Sequence, residues 1–123
     1  MSNLKNQKKK TMTEIEEVYY RERMIEGMVE SNRLTYQCKT TGQVARLLGM
    51  KTKELFRELR ERDIMYRDAG LWLLRPEYVG LGLLRYRYIP CYTLEGEFKS
   101  NVYPVWTSKG VEFLKRTITE DVN

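Results

Sequence analysis

A chain of 123 residues is long enough for one domain and short for two, since single cores fall between about 50 and 200 residues. Its composition, 41% hydrophobic and 32% charged, supplies one modest core under a charged surface and excludes a disordered chain. Histidine is absent, which removes the commonest general base, the usual activator of a serine or cysteine nucleophile and the commonest zinc ligand, so no enzymatic activity is expected.

The net charge of +5 suits an anionic partner, and its distribution says more than its total. Residues 1 to 10 carry Lys5, Lys8, Lys9 and Lys10 and no acid, for +4. Residues 11 to 30 carry two arginines against six glutamates, for −4. Residues 41 to 62 set Arg46, Lys51, Lys53, Arg57, Arg60 and Arg62 against Glu54, Glu58 and Glu61, for +3. Cys38 and Cys91 lie far apart and match neither a disulfide framework nor a spaced zinc motif, so both read as free thiols. The acids form no calcium-loop pattern, and no cofactor or metal is expected. No apolar run approaches the roughly 18 residues a membrane span needs, and MSNLKNQKKK is too polar for a signal peptide, which points to the cytoplasm.

In chain order, residues 1 to 12 read as a disordered basic arm. Residues 13 to 32 read as an amphipathic helix, with Ile15, Val18, Ile25 and Val29 near a three-four spacing and Thr13 and Glu16 at a capping-box distance. Glu22 interrupts that seam; packing against its own domain is the expected use, with dimerisation through the helix as the alternative. Residues 34 to 38 suggest a short extended segment. Thr40 and Gln43 then have capping-box spacing ahead of Val44, Ala45, Leu47 and Leu48. Gly49 ends that helix, and a second resumes near Thr52 with Leu55, Phe56 and Leu59 inward.

After Asp63, the segment from Ile64 to Tyr66, the run Asp68-Ala69-Gly70 and LWLL read as strand, turn and apolar segment, ended by Pro76. Residues 83 to 93 and 98 to 107 mirror one another across Leu94–Glu97 as a long β-hairpin. Pro90 and Pro104 each remove a ladder donor, so this hairpin is expected to stand apart from a central sheet, as a wing. Ser108 is the expected cap of a last helix carrying Val111, Phe113, Leu114 and Ile118, with residues 119 to 123 a frayed tail.

The segment TTGQVARLLGMKTKELFRELRERDIMY carries the functional argument. Ala45 lets two helices approach, Gly49 makes the turn, Met50 tucks beneath it, and the later leucines hold the second helix so that its outer face can enter the major groove of double-stranded DNA. Lys51, Thr52, Lys53, Arg57 and Arg60 then lie on or near that face, suited to phosphates and base edges. Phe56 occupies a position where recognition helices often carry a polar reader; with the helix rotated it becomes core. On the long hairpin, Arg85, Arg87 and Lys99 alternate with or face Tyr86, Tyr88, Tyr92 and Tyr103, the mixture expected where a wing meets a sugar-phosphate backbone, and the arginines are expected to be exposed.

Three blocks, QVARLLGMKTKELFRELRERDIMY, RPEYVGLGLL and VWTSKGVEFLKR with Thr107, Lys109 and Gly110, occur in an order and spacing that resembles the C-terminal domain of phage antirepressors, the KilA-C family, over residues 40 to about 116. The resemblance implies a phage or prophage origin, a bacterial host cell, a winged-helix-like fold and a role tied to DNA binding in antirepression. Such antirepressors often carry a separate N-terminal domain where this chain has a basic arm and one helix, so it looks like a free-standing KilA-C unit. The expectation is an α+β, winged-helix-like domain over residues 33 to 118 with a helix-turn-helix core, a hairpin wing, a preceding amphipathic helix and a C-terminal helix. The leading function is a regulatory DNA-binding protein. The rival is a protein-interaction module that binds a repressor or itself through the first helix and the tyrosine-rich hairpin.

Overall fold

The computed structural model describes residues 13–120; the basic arm and the last three residues lie outside them. Helix α1 (Glu14–Arg33) leads into a two-residue strand β1 (Lys39–Thr40), then α2 (Thr41–Leu47) and α3 (Thr52–Glu61). A short hairpin follows, β2 (Met65–Asp68) and β3 (Leu71–Leu74), then a 3-10 turn over Pro76–Tyr78. The long hairpin β4 (Leu84–Tyr92) and β5 (Phe98–Trp106) precedes α4 (Ser108–Glu120). Both sheets are antiparallel: β1-β5-β4 and β2-β3. The fold is mixed α+β.

Local chemistry sets the two-helix unit. Thr40 Oγ1 accepts from Gln43 N (3.1 Å) while Gln43 Oε1 accepts from Thr40 N (2.8 Å), a complete capping box that satisfies two otherwise orphaned donors. At the other end Gly49 takes φ 71°. Met50 N then donates to Ala45 O (2.8 Å) and Gly49 N to Arg46 O (3.1 Å), the paired bonds of a Schellman stop. The same stop recurs after α3 with Asp63 at φ 57°, where Ile64 N donates to Leu59 O (2.9 Å). Each stop turns an apolar residue inward: Ile64 is buried and Met50 packs against the core.

The core draws Val44 and Ala45 from α2, Leu55 and Leu59 from α3, Trp106 from β5, and Val111, Leu114 and Ile118 from α4. Trp106 Nε1 donates to the buried Thr41 Oγ1 (3.0 Å), so the one polar atom of its ring is satisfied inside.

Several expectations change. Residues 34 to 37 form turns, with Thr35 N donating to Asn32 O (2.9 Å), and the extended segment shrinks to Lys39–Thr40. The cap of α4 is Thr107, whose Oγ1 accepts from Gly110 N (3.0 Å), and the helix continues past Ile118 to Glu120. The long hairpin does not stand apart: β5 is the centre of the larger sheet, pairing with β1 and β4, and the expected proline interruptions fall at Pro90↔Ser100 and Tyr86↔Pro104 within a continuous register.

Helix α1 begins with Thr13 Oγ1 accepting from Glu16 N (3.1 Å), yet it buries no residue. Its C-terminal half leans on β4. There Asn32 Nδ2 donates to Tyr88 O (2.8 Å) and Tyr88 N donates to Asn32 Oδ1 (2.9 Å), so one amide side chain occupies the open backbone edge of β4 as a neighbouring strand would. Of its apolar seam, Ile25 is half-buried while Ile15, Val18 and Val29 stay exposed, so the helix packs on its own domain only through its C-terminal half.

Candidate nucleic-acid interface

On α3, the helical advance of about 100° per residue separates charge by sign. Lys53, Phe56, Arg57 and Arg60 fall on one flank; Glu54, Glu58 and Glu61 fall on the other. Glu58 is further held by Arg62, whose Nε lies 3.0 Å from Glu58 Oε2 and whose Nη1 donates to Thr117 O on α4 (3.0 Å). The acids that would dilute the positive face are therefore turned away from it.

The basic flank faces the short hairpin. Lys53, Arg57 and Arg60 of α3 and Arg67 of β2 line one open cleft of about 420 Å³, with Phe56 and Trp72 as its wall. The Ala69-Gly70 turn, with φ 50° and 81°, sets the tight hairpin that brings Arg67 directly opposite Trp72. Trp72 is held from three sides. Its ring stacks on Phe56 with centroids 4.6 Å apart, the Arg67 guanidinium sits 6.0 Å from its ring centroid, and its carbonyl accepts from Tyr86 Oη (2.7 Å). All four cations are exposed and converge on one concave surface in a form suited to a polyanion.

Five sequence-expected residues gather here. Lys51 is the N-cap of α3 and Thr52 its first residue, both exposed, and Lys53, Arg57 and Arg60 line the cleft. Phe56 is neither a base reader nor fully core; it is half-buried as part of the cleft wall. The three residues of the long hairpin lie elsewhere. Arg85 and Lys99 are exposed on β4 and β5, outside the cleft. Arg87 is half-buried instead of exposed, because its Nε donates to Thr35 Oγ1 (3.0 Å) and its Nη2 to Thr35 O (2.7 Å), with its guanidinium 5.9 Å from the Tyr103 ring centroid. Arg67 and Trp72 were missed, although the Asp-Ala-Gly turn between them fixes their pairing.

Cys38 and Cys91 are free and half-buried, and among the described residues no group of three or more acids or cysteines is placed to hold a metal ion. Among the described residues, no helix is long and apolar enough to cross a membrane.

The geometry defines a small α+β domain built on a tight two-helix turn with a cationic cleft beside it. Its sequence from residue 34 to 121 matches the family model of the phage antirepressor protein KilAC domain. That span is more than two thirds of the chain, and the chain belongs to this family of phage-associated regulatory proteins, a regulatory and not a catalytic kind. No curated protein and no solved structure gives a match. Helix α1 precedes the matched region.

Proposed function

We propose that the protein is a phage- or prophage-derived, antirepressor-like regulator that binds double-stranded DNA in the bacterial cytoplasm. In this reading α3 enters the major groove, and the short β2–β3 hairpin acts as the wing that reaches the adjoining backbone. Lys53, Arg57, Arg60 and Arg67 contact phosphates or guanine edges, while Lys51 and Thr52 meet the backbone at the start of the helix. The lysines of residues 1 to 12 add affinity without sequence preference. Arg85 and Lys99 are not used, and Arg87 serves the fold.

The observation that carries the reading is the sorting of charge: Lys53, Arg57 and Arg60 of α3 share one exposed cleft with Arg67 of β2, and the three glutamates of α3 are turned from it. A structural role alone gives no reason for that segregation. The test is a fluorescence-anisotropy titration with random duplex DNA at two salt concentrations, beside a Lys53→Ala/Arg57→Ala variant. Salt-sensitive binding that the variant loses is expected. Equal affinity of the two proteins would remove α3 from the interface.

The rival reading, a module that binds a repressor without touching DNA, draws on the apolar side chains that α1 leaves exposed. It predicts no duplex binding even at low salt.

A further inference from the structure

The two faces of the short hairpin look onto different spaces. Cross-strand partners share a face and successive residues alternate between faces, so Arg67 and Trp72 lie on the side of the cationic cleft while Tyr66 and Leu73 lie on the other. On that second side is a cavity of about 340 Å³, walled by Tyr66 and Leu73 of the hairpin and by Tyr78, Leu84 and Tyr86 of the chain that follows it. All five side chains are half-buried. Two of the walls are anchored: the Tyr78 ring lies against Phe113 of α4, centroids 5.5 Å apart, and Tyr86 Oη donates to Trp72 O (2.7 Å). The space is thus held between fixed aromatic walls, and its size falls in the roughly 300–1,000 Å³ range of small-molecule sites.

An unused cation stands beside it. Arg75, two residues past Leu73 with an extended backbone (φ −63°, ψ 151°), falls on the same face, and its guanidinium lies 4.8 Å from the Tyr66 ring centroid. Its Nε is buried without a hydrogen-bond partner, and Arg75 forms no ion pair among the described residues. A buried charged donor left unmade is unfavourable, and the Tyr66 ring compensates it only in part. A guanidinium takes a carboxylate through two parallel bonds, and Nε with one Nη makes one such fork. We propose that the cavity binds a small aromatic carboxylate, its ring between Tyr66, Tyr78 and Tyr86 and its carboxylate reaching across the edge of Tyr66 to the Arg75 guanidinium. The aromatic walls select a planar ring and the unpaired cation selects an anion. The volume admits one ring or two fused rings.

Binding has a mechanical consequence. Tyr66 and Leu73 belong to the hairpin and Tyr78, Leu84 and Tyr86 to the chain after it, so the acid clamps the hairpin, with Arg67 on its other side, against the body of the domain. Only the folded protein offers this cavity, so the acid also stabilises the fold in step with its occupancy. The site does not rest on the DNA-binding reading.

The test is a two-dimensional NMR titration of the full chain, following backbone amide and arginine Nε signals, with 2-naphthoate as the probe and neutral 2-naphthol as the comparison. Naphthoate should bind with a dissociation constant on the order of 0.1–1 mM, as suits a ligand of its size, and should shift the signals of Tyr66, Leu73, Leu84 and Arg75 Nε. Naphthol should bind roughly tenfold more weakly, for want of the charge-assisted bonds. Arg75→Met keeps an apolar stem over Tyr66 and should bind the two probes alike. Should that variant fail to fold, Arg75→Lys keeps the charge without the fork and should show an intermediate preference. Lys53→Ala/Arg57→Ala should bind naphthoate as wild type does. Absence of any shift at millimolar naphthoate overturns the proposal. Equal affinity of wild type for naphthoate and naphthol overturns it too, since the cation then selects nothing. Loss of naphthoate binding in Lys53→Ala/Arg57→Ala would put the acid in the cationic cleft and overturn it equally. A protein that takes naphthoate as described but binds no duplex keeps the cavity site and loses the DNA-binding reading.

Discussion

The rings of Phe56 and Trp72 stack with centroids 4.6 Å apart and planes within 15°, joining the basic flank of α3 to the short hairpin that follows it. The contact makes hairpin and helix one body, so that Arg67, opposite Trp72 in register, faces the same space as Lys53, Arg57 and Arg60. Stacked aromatic pairs contribute about 0.5–1.5 kcal/mol beyond the area they cover. A double-mutant cycle on Phe56→Ala and Trp72→Ala, followed by urea denaturation, should therefore show a coupling of about 1 kcal/mol. Additive effects would mean that the rings merely adjoin. Trp72→Ala should also weaken duplex binding, because it frees the arm on which Arg67 stands.

Arg67 and Arg87 look alike in the sequence, each an arginine in a β-hairpin among aromatics, and they should behave in opposite ways. Arg67 is exposed at the cleft, so Arg67→Ala should lower the slope of log affinity against log salt by roughly one and leave the thermal midpoint nearly unchanged. Arg87 donates twice to Thr35, which is 1% exposed. Arg87→Ala strips those acceptors of their donors and should cost about 1–3 kcal/mol of stability without changing the salt slope. Paired melting curves and salt titrations of the two variants decide the matter; a salt-slope loss from Arg87→Ala would restore the long hairpin as the wing.

That contrast marks where the sequence stopped being legible. Signals that act over a few residues were readable: the Thr40–Gln43 box, the left-handed Gly49, the inward Leu55 and Leu59 and both hairpin turns are each set by near neighbours. What the basic side chains face depends on residues distant in the chain. Arg87 meets Thr35 only because the turn after α1 is carried against β4, and Phe56 meets Trp72 only because the short hairpin folds back on α3. Periodicity likewise gave α1 its helix but not its neighbours. The apolar seam was legible as a seam, while its outcome was not: Asn32, the next position after Val29, bonds Tyr88, and Ile15, Val18 and Val29 stay exposed.

Two glycines test separate physical requirements with the same substitution. Gly49 needs a left-handed backbone, φ 71°, and a Cβ there would meet nothing within 4 Å, so Gly49→Ala should cost about 1 kcal/mol, the conformational penalty alone. Gly110, in the first turn of α4, has no such need. A Cβ there would overlap Leu83 O and come within 3.0 Å of Trp106 Cε3, because Thr107 N donates to Leu83 O (3.0 Å) and holds the helix start against that carbonyl. Backbone cannot give as a flexible side chain does, and Gly110→Ala should cost 1–3 kcal/mol or more. Chemical denaturation should rank Gly110→Ala as the more harmful; the reverse order would mean that α4 can slide off Leu83.

Alkaline pH should loosen the support behind Trp72. Tyr86 donates to Trp72 O, and its phenol is raised above the ordinary value of 10.0, first by burial and then by neighbouring Tyr66 and Tyr88. With the folded value above the unfolded one, the native state holds its proton more tightly, so stability is intact below about pH 10 and falls as pH rises through and beyond it. The loss has a structural route, because an ionised Tyr86 can no longer donate to the Trp72 carbonyl. Tyr86→Phe should start from lower stability, having lost the bond, and then show a shallower decline between pH 9 and 11. Denaturation midpoints of both proteins across that window provide the check. Parallel declines would show that Tyr86 does not set the alkaline limit, and that the wall of the cleft is held by the Phe56 stack without help from behind.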